Sequence, residues 1–149
     1  MIFYGRKAKS DKNDILFSEI VRMLGKCVRC GKTSSLTCAH IMKRRYYSTR
    51  FEFRNAICLC LGCHSWFDTH MITDLLFSPK KRVLDAAEES YTFLVEKLGY
   101  SWDELTILYA KSKQHFTGYA YKKDQIYIGL KELRGEMMET VAVRKSSEY

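Results

Sequence analysis

The chain has 149 residues, of which 46% are hydrophobic, so it is long enough for one domain with a modest core and too apolar to be disordered. Its net charge of +8 and pI near 9.2 favour a polyanionic partner, because binding to phosphates releases counterions. No apolar run approaches the roughly 18 residues of a membrane span, and residues 1–12 contain no secretory apolar segment. We therefore expect a cytoplasmic protein with reduced thiols and no membrane partner.

The first predicted element is a helix over residues 11–25. Ser10 and Asp11 can cap its start, and Gly25 can end it. Its apolar stripe consists of Leu16, Ile20, Met23 and Leu24. This helix forms the N-terminal flank of the domain.

A β-hairpin and a helix are predicted next. Strands at 36–41 and 55–59 flank a loop over residues 42–54 that carries five Lys or Arg side chains and four aromatic rings. The alternation of a strand places Cys38 and His40 on one face and Ala39 and Ile41 on the other. A helix from His64 to about residue 70 follows.

The remainder is predicted to be a helical extension over residues 78–143. Ser78 and Pro79 can begin one helix, which Gly99 ends. Residues 101–104 form a capping box for a second, and a third can begin at Asp124 and is available for a homodimer contact. Because no linker or repeat interrupts the chain, residues 1–149 are predicted to be a single domain.

Two Cys-x-x-Cys pairs bracket the hairpin. The first is Cys27 and Cys30, and the second is Cys60 and Cys63. Four thiolates at this spacing predict one structural Zn²⁺, because each pair brings two sulfurs to the same ion. The other two cysteines, Cys38 and Cys58, are interpreted as buried thiols, and a thioredoxin-like redox role lacks the strand and helix context it needs.

The same region resembles the HNH nucleases, also called the ββα-metal group, and particularly their zinc-knuckled phage members. The resemblance rests on Cys-x-x-Cys, Ala39-His40-Ile41, Arg50-Phe51, Asn55 and Leu-Cys-x-x-Cys-His64, and is firm over residues 27–70. It implies an α+β fold, mostly helical overall, with a zinc-clamped hairpin and helix as its core. It also implies a phage-encoded, metal-dependent endonuclease that hydrolyses DNA in the host cytoplasm.

Catalytic roles follow from the residue types and this resemblance. His40 can act as the general base, since imidazole titrates near pH 6.5. Asn55 would orient the His40 ring or ligate the metal directly, and His64 and Asp68, one helical turn apart, would hold a catalytic Mg²⁺ or Mn²⁺. Many relatives carry a metal-ligating Asp or His where this chain has Ala39, so fewer protein ligands are expected.

Several alternatives remain open. His64 could replace Cys63 as a zinc ligand, Asp68 could simply face solvent, and the histidines at 70 and 115 are interpreted as structural or exposed. The loop cations are predicted to contact DNA phosphates: Lys43, Arg44, Arg45, Arg50 and Arg54. The alternative function is a zinc-stabilised DNA-binding module without catalysis.

Overall fold

The computed structural model describes residues 10–69, 81–114 and 118–147. Its elements in chain order are α1 (Lys12–Arg22), β1 (Leu36–His40), α2 (Tyr47–Arg50), a 3₁₀ turn (Phe53–Asn55), β2 (Ala56–Cys60), α3 (Leu61–Thr69), α4 (Lys81–Thr92), a π-helical turn (Phe93–Lys97), α5 (Trp102–Ser112) and α6 (Tyr119–Ser147). The sheet of the described residues has two antiparallel strands. The predicted α+β class with a mostly helical chain is confirmed.

Helix α1 is shorter than predicted. The Asp11 side chain caps its start through the backbone N–H groups of residues 13 and 14, as expected, but the C-cap is Met23. Gly25 lies beyond it with a φ of +80°, a conformation that glycine adopts without steric cost. Leu24, which was predicted to be on the apolar face, is exposed because the helix has already ended.

The hairpin has the predicted alternation. Ala39 pairs with Ile57, and Cys38 pairs directly with Cys58. One face joins a core with α3, the π-helical turn and α5, whose fully buried members include Ala39, Leu59, Phe67, Leu94 and Leu105. The other face meets α1 and α6, where Leu16, Phe17, Ile20 and Leu130 form a second cluster. The ribbon thus separates two hydrophobic cores.

The segment over residues 42–54 is more ordered than the predicted loop. It contains α2 and the 3₁₀ turn although it has no apolar stripe, and a buried ion pair connects it to α1. Arg50 is fully buried, and its Nε donates to Asp14 Oδ1 of α1 at 2.7 Å while a second nitrogen donates to Oδ2. The Tyr47 ring covers the guanidinium at 4.6 Å. Helix α1 and the loop are therefore joined by this pair.

The capping residues predicted around the start of α5 have the expected positions in the structure. Ser101 and Glu104 form the predicted capping box of α5, and Gly99 has a φ of +77° just before it. Helix α6 begins at Tyr119, five residues before the predicted start, and Leu130 packs it against α1. The histidines at 70 and 115 and the predicted helix start at 78 and 79 lie outside the described residues. None of the described helices is long and apolar enough to cross a membrane.

We predict that Asp14→Asn lowers the free energy of unfolding by about 3–5 kcal/mol, because it leaves the buried Arg50 charge without its anion. Urea denaturation followed by circular dichroism measures this loss. The matched control is Glu104→Gln, which breaks the exposed 2.6 Å pair with Arg54 and should leave the free energy of unfolding nearly unchanged, because solvent screens the pair. Equal losses for the two variants would contradict the structural role of Arg50.

Candidate metal centres and active site

Four cysteine sulfurs meet at one end of the hairpin. The Sγ atoms of Cys27, Cys30, Cys60 and Cys63 all lie within 4.8 Å of one another, and those of Cys30 and Cys60 are 3.7 Å apart. Sulfurs at the corners of a Zn²⁺ tetrahedron with bonds of about 2.3 Å would be roughly 3.8 Å apart. The cluster can therefore hold a metal ion such as zinc.

Local backbone geometry brings the two pairs together. In the first pair, Gly31 has a φ of +80° and its N–H bonds to the Cys27 carbonyl at 2.8 Å, which closes a tight turn around the sulfurs. In the second pair, Cys60 ends β2 and Cys63 lies in the first turn of α3. A bond from the Leu61 N–H to the Ser35 carbonyl at 3.0 Å ties the start of α3 to the start of β1.

The thiols of the cluster differ in their acidity. Burial opposes ionisation of Cys27, but backbone N–H groups of Cys30, Cys60 and Arg29 outweigh it and lower the pKa of that thiol to about 6. Burial raises the pKa of Cys63 to about 12. One thiolate forms readily and another does not, so a bound cation is what would allow all four to ionise together.

His40 is half-buried at the end of β1, beside α1. Its ring stacks on Phe17 with the centroids 5.8 Å apart, and its Nε2 lies 3.0 Å from the Arg50 carbonyl oxygen. A carbonyl only accepts, so Nε2 carries the hydrogen, and Nδ1 of the neutral ring keeps its lone pair. Burial lowers the pKa of His40 below its ordinary value, more than the carbonyl raises it. The ring is therefore neutral at physiological pH.

Asn55 has a different position from the one expected. It is fully buried, its Oδ1 accepts from the Met42 N–H at 2.7 Å, and its Nδ2 donates to the carbonyls of Met42 and Thr49 at 3.0 and 3.1 Å. These bonds hold the segment over residues 42–49 in place. Neither the predicted contact with the His40 ring nor direct metal ligation fits an amide whose oxygen and nitrogen both bind backbone.

His64 and Asp68 lie together on α3. His64 Nε2 and Asp68 Oδ2 are 3.5 Å apart, and both side chains are partly exposed. The other ring nitrogen, Nδ1, lies 2.8 Å from the Thr37 hydroxyl of β1. His64 is thus not among the residues of the sulfur cluster, and the alternative in which it replaces Cys63 is not supported. An imidazole nitrogen and a carboxylate oxygen at this distance fit a shared divalent ion.

The structure does not gather His40 and His64 into one cluster. Thr37 contacts His64 on the face of the ribbon that meets α3, whereas His40 packs on Phe17 on the face that meets α1. Thr37 and His40 are three positions apart in β1, which corresponds to roughly 10 Å along a strand. The two histidines therefore approach the ribbon from opposite faces.

The loop cations divide into two groups. Arg50 is fully buried in its pair with Asp14, so the prediction that it contacts DNA is wrong. Lys43, Arg45 and Arg54 are exposed, and Arg44 is half-buried with a 2.7 Å bond to Ser10 Oγ. Lys113, which sequence reasoning missed, joins Arg45 at the Tyr46 hydroxyl, each 2.8 Å away. Only tertiary contact reveals it, because 67 residues separate Lys113 from Tyr46.

The segment that carries these residues matches a known protein family. Residues 27–73 match the HNH endonuclease family model. The match begins at the first cysteine of the cluster and includes His40, Asn55, His64 and Asp68. It covers less than half of the chain, and we found no match among curated proteins or solved structures. The match supports a nuclease-type function for this HNH segment, whereas its likeness to phage proteins stays a prediction.

Within the HNH segment, Ala39 is fully buried on the face that meets α3. Ile57 opposes it across the ribbon, and Phe67 belongs to the same core. A carboxylate introduced there would lose its hydration among apolar side chains, unless a cation paired with it. The substitution that would restore a family ligand is therefore expected to destabilise the fold.

We predict that the HNH segment binds one zinc ion per chain and that Cys60→Ser loses it together with much of the folding free energy, because ligation and folding are coupled. Elemental analysis and thermal unfolding measure the two effects. The control Cys38→Ser changes a strand thiol outside the cluster and should keep one zinc. Less than half a zinc per wild-type chain would exclude the prediction.

Proposed function

We propose that the protein is a metal-dependent HNH endonuclease that hydrolyses phosphodiester bonds in DNA. One observation carries this proposal: within the family-matched segment, His40 donates through Nε2 to the Arg50 carbonyl at 3.0 Å and so keeps a lone pair on Nδ1. A half-buried, neutral imidazole is suited to take a proton from water at physiological pH. Burial lowers the pKa of His40 and so favours the neutral ring.

In this mechanism, His40 Nδ1 accepts a proton from the attacking water. His64 Nε2 and Asp68 Oδ2, 3.5 Å apart, would hold a divalent ion. Such an ion, when bound, offsets the charge that develops on the phosphate. Asn55 contributes by fixing the loop segment that ends at Arg50, whose carbonyl in turn orients the His40 ring.

The separation between His40 and His64 suits an in-line reaction. In such a displacement, the attacking and leaving oxygens lie on opposite sides of phosphorus, so the base and the metal ligands belong on opposite sides of the phosphate. Strands in a sheet are only about 5 Å apart, so a phosphate at the edge of a two-stranded ribbon can be approached from both faces. We infer that DNA lies along the edge near β1.

Exposed cations in the loop that follows β1, and at Lys113, support DNA as the substrate. Lys43 and Arg45 lie in the segment that leads away from β1, and Lys113, the C-cap of α5, reaches the same Tyr46 hydroxyl as Arg45. Arg54 is 57% exposed despite its pair with Glu104. We propose that these side chains contact DNA phosphates rather than base edges, so that they position the DNA without reading its sequence. One site cuts one strand at a time, and a homodimer through α6 would allow double-strand cleavage.

We predict that His40→Ala lowers the rate of supercoiled plasmid nicking by roughly 10²- to 10⁴-fold, the usual effect of removing a positioned base. His64→Ala should raise the Mn²⁺ concentration needed for activity, so excess Mn²⁺ should recover part of its rate and none of that of His40→Ala. Nicking is measured at several Mn²⁺ concentrations, with EDTA as the blank.

Both variants must retain zinc and DNA affinity for this comparison. A wild-type protein that binds DNA but never nicks it with Mg²⁺ or Mn²⁺ would instead support the non-catalytic DNA-binding module. Wild-type cleavage by His40→Ala would refute the role of His40 as the base.

A pH profile gives an independent test of the same base. Because His40 has a lowered pKa, it stays neutral to lower pH than an ordinary histidine, and it loses its function only when protonated. We therefore expect kcat/KM at saturating Mn²⁺ to fall on acidification with an apparent pKa below about 6.5. An acid limb above that value would mean that another group titrates.

A further inference from the structure

The Thr37 hydroxyl lies between two groups, and its hydrogen can go to only one of them. Thr37 Oγ1 is 2.8 Å from the Leu59 carbonyl oxygen and 2.8 Å from His64 Nδ1. The carbonyl accepts but cannot donate, so the single hydroxyl hydrogen points to Leu59. The oxygen must then accept a hydrogen from His64. This requires that Nδ1 of His64 be protonated.

A hydrogen on Nδ1 of His64 also determines the state of Nε2, the opposite nitrogen of the ring. In a neutral imidazole with a hydrogen on Nδ1, Nε2 carries the lone pair. This is the nitrogen that lies 3.5 Å from Asp68 Oδ2. A hydrogen bond to the other nitrogen of a metal-binding histidine commonly fixes both its tautomer and its ring direction.

We propose that Thr37 is a positioning residue that holds His64 in the Nδ1-protonated tautomer and so presents Nε2 to a divalent cation. The assignment rests on the proposed function for the identity of that cation, but the tautomer itself does not depend on it. The pairing of Thr37 with Leu59 across the ribbon sets the position of the hydroxyl. The hairpin thereby determines which nitrogen of an α3 side chain is available.

The test compares Thr37→Val, which has a similar shape but no hydroxyl, with Thr37→Ser, which keeps it. In zinc-loaded wild-type protein at neutral pH, long-range ¹H–¹⁵N NMR should show His64 with Nδ1 protonated and Nε2 unprotonated. Thr37→Ser should keep this pattern, and Thr37→Val should lose it. A wild-type His64 protonated on Nε2 alone would overturn the proposal, whether or not the valine variant folds.

Mn²⁺ binding, followed by electron paramagnetic resonance, gives the second readout. We expect Thr37→Val to weaken binding by roughly 10- to 100-fold and Thr37→Ser to remain near wild type. The control Thr106→Val removes a hydroxyl that bonds to the Trp102 carbonyl of its own helix, and it should leave Mn²⁺ binding unchanged. Equal affinity in wild type and Thr37→Val would overturn the positioning role.

The two proposals fail in different ways. If His64→Ala leaves Mn²⁺ affinity unchanged, the divalent site of the proposed function is wrong, and the Thr37 assignment falls as a metal-positioning role even where the tautomer is as expected. If His64→Ala abolishes binding while Thr37→Val does not, the nuclease proposal stands and the inference about Thr37 is rejected.

Discussion

Two strands of five residues each do not hold together in water on their own, so the β1–β2 ribbon depends on what ties its ends. At one end the four sulfurs of the cysteine cluster join the start of the hairpin to α3. At the other end Asn55, buried at the turn into β2, binds the backbone of the segment over residues 42–49. Thr37 and His40, for which we propose a positioning role and a catalytic role, lie in β1 between these two connections.

The buried pair of Arg50 and Asp14 adds a third connection and explains why a basic loop does not present all of its charge. A guanidinium without solvent needs an anion, and Asp14 in the first turn of α1 provides one with both of its carboxylate oxygens. Because Arg50 is held this way, its carbonyl has a fixed direction and can orient His40. The positive surface that remains comes from fewer loop cations than the composition indicates, together with Lys113 at the C-cap of α5.

In each of the two histidines, a hydrogen bond to one ring nitrogen leaves the lone pair on the other, but the nitrogen that is bonded differs. His40 has its Nε2 engaged by a backbone carbonyl, whereas His64 has its Nδ1 engaged by a hydroxyl whose own hydrogen is directed elsewhere. Each ring is left with one defined lone pair, on Nδ1 in the first case and Nε2 in the second. If His40 and His64 act as we propose, rings with defined tautomers need no rearrangement at the moment of reaction.

Strong local signals in the sequence were sufficient to predict the two cysteine pairs, the Asp11 cap of α1, the capping box of α5, the alternation of β1, and the glycines that follow helices. Each depends on neighbours within a few residues, so spacing is sufficient to predict it. Tertiary packing was needed to show that Arg50 is buried, that Asn55 binds the loop backbone rather than the His40 ring, and that Thr37 contacts His64 and Lys113 contacts Tyr46. Those outcomes depend on partners far apart in the chain, such as Asp14 for Arg50, and on which face of the ribbon each helix covers.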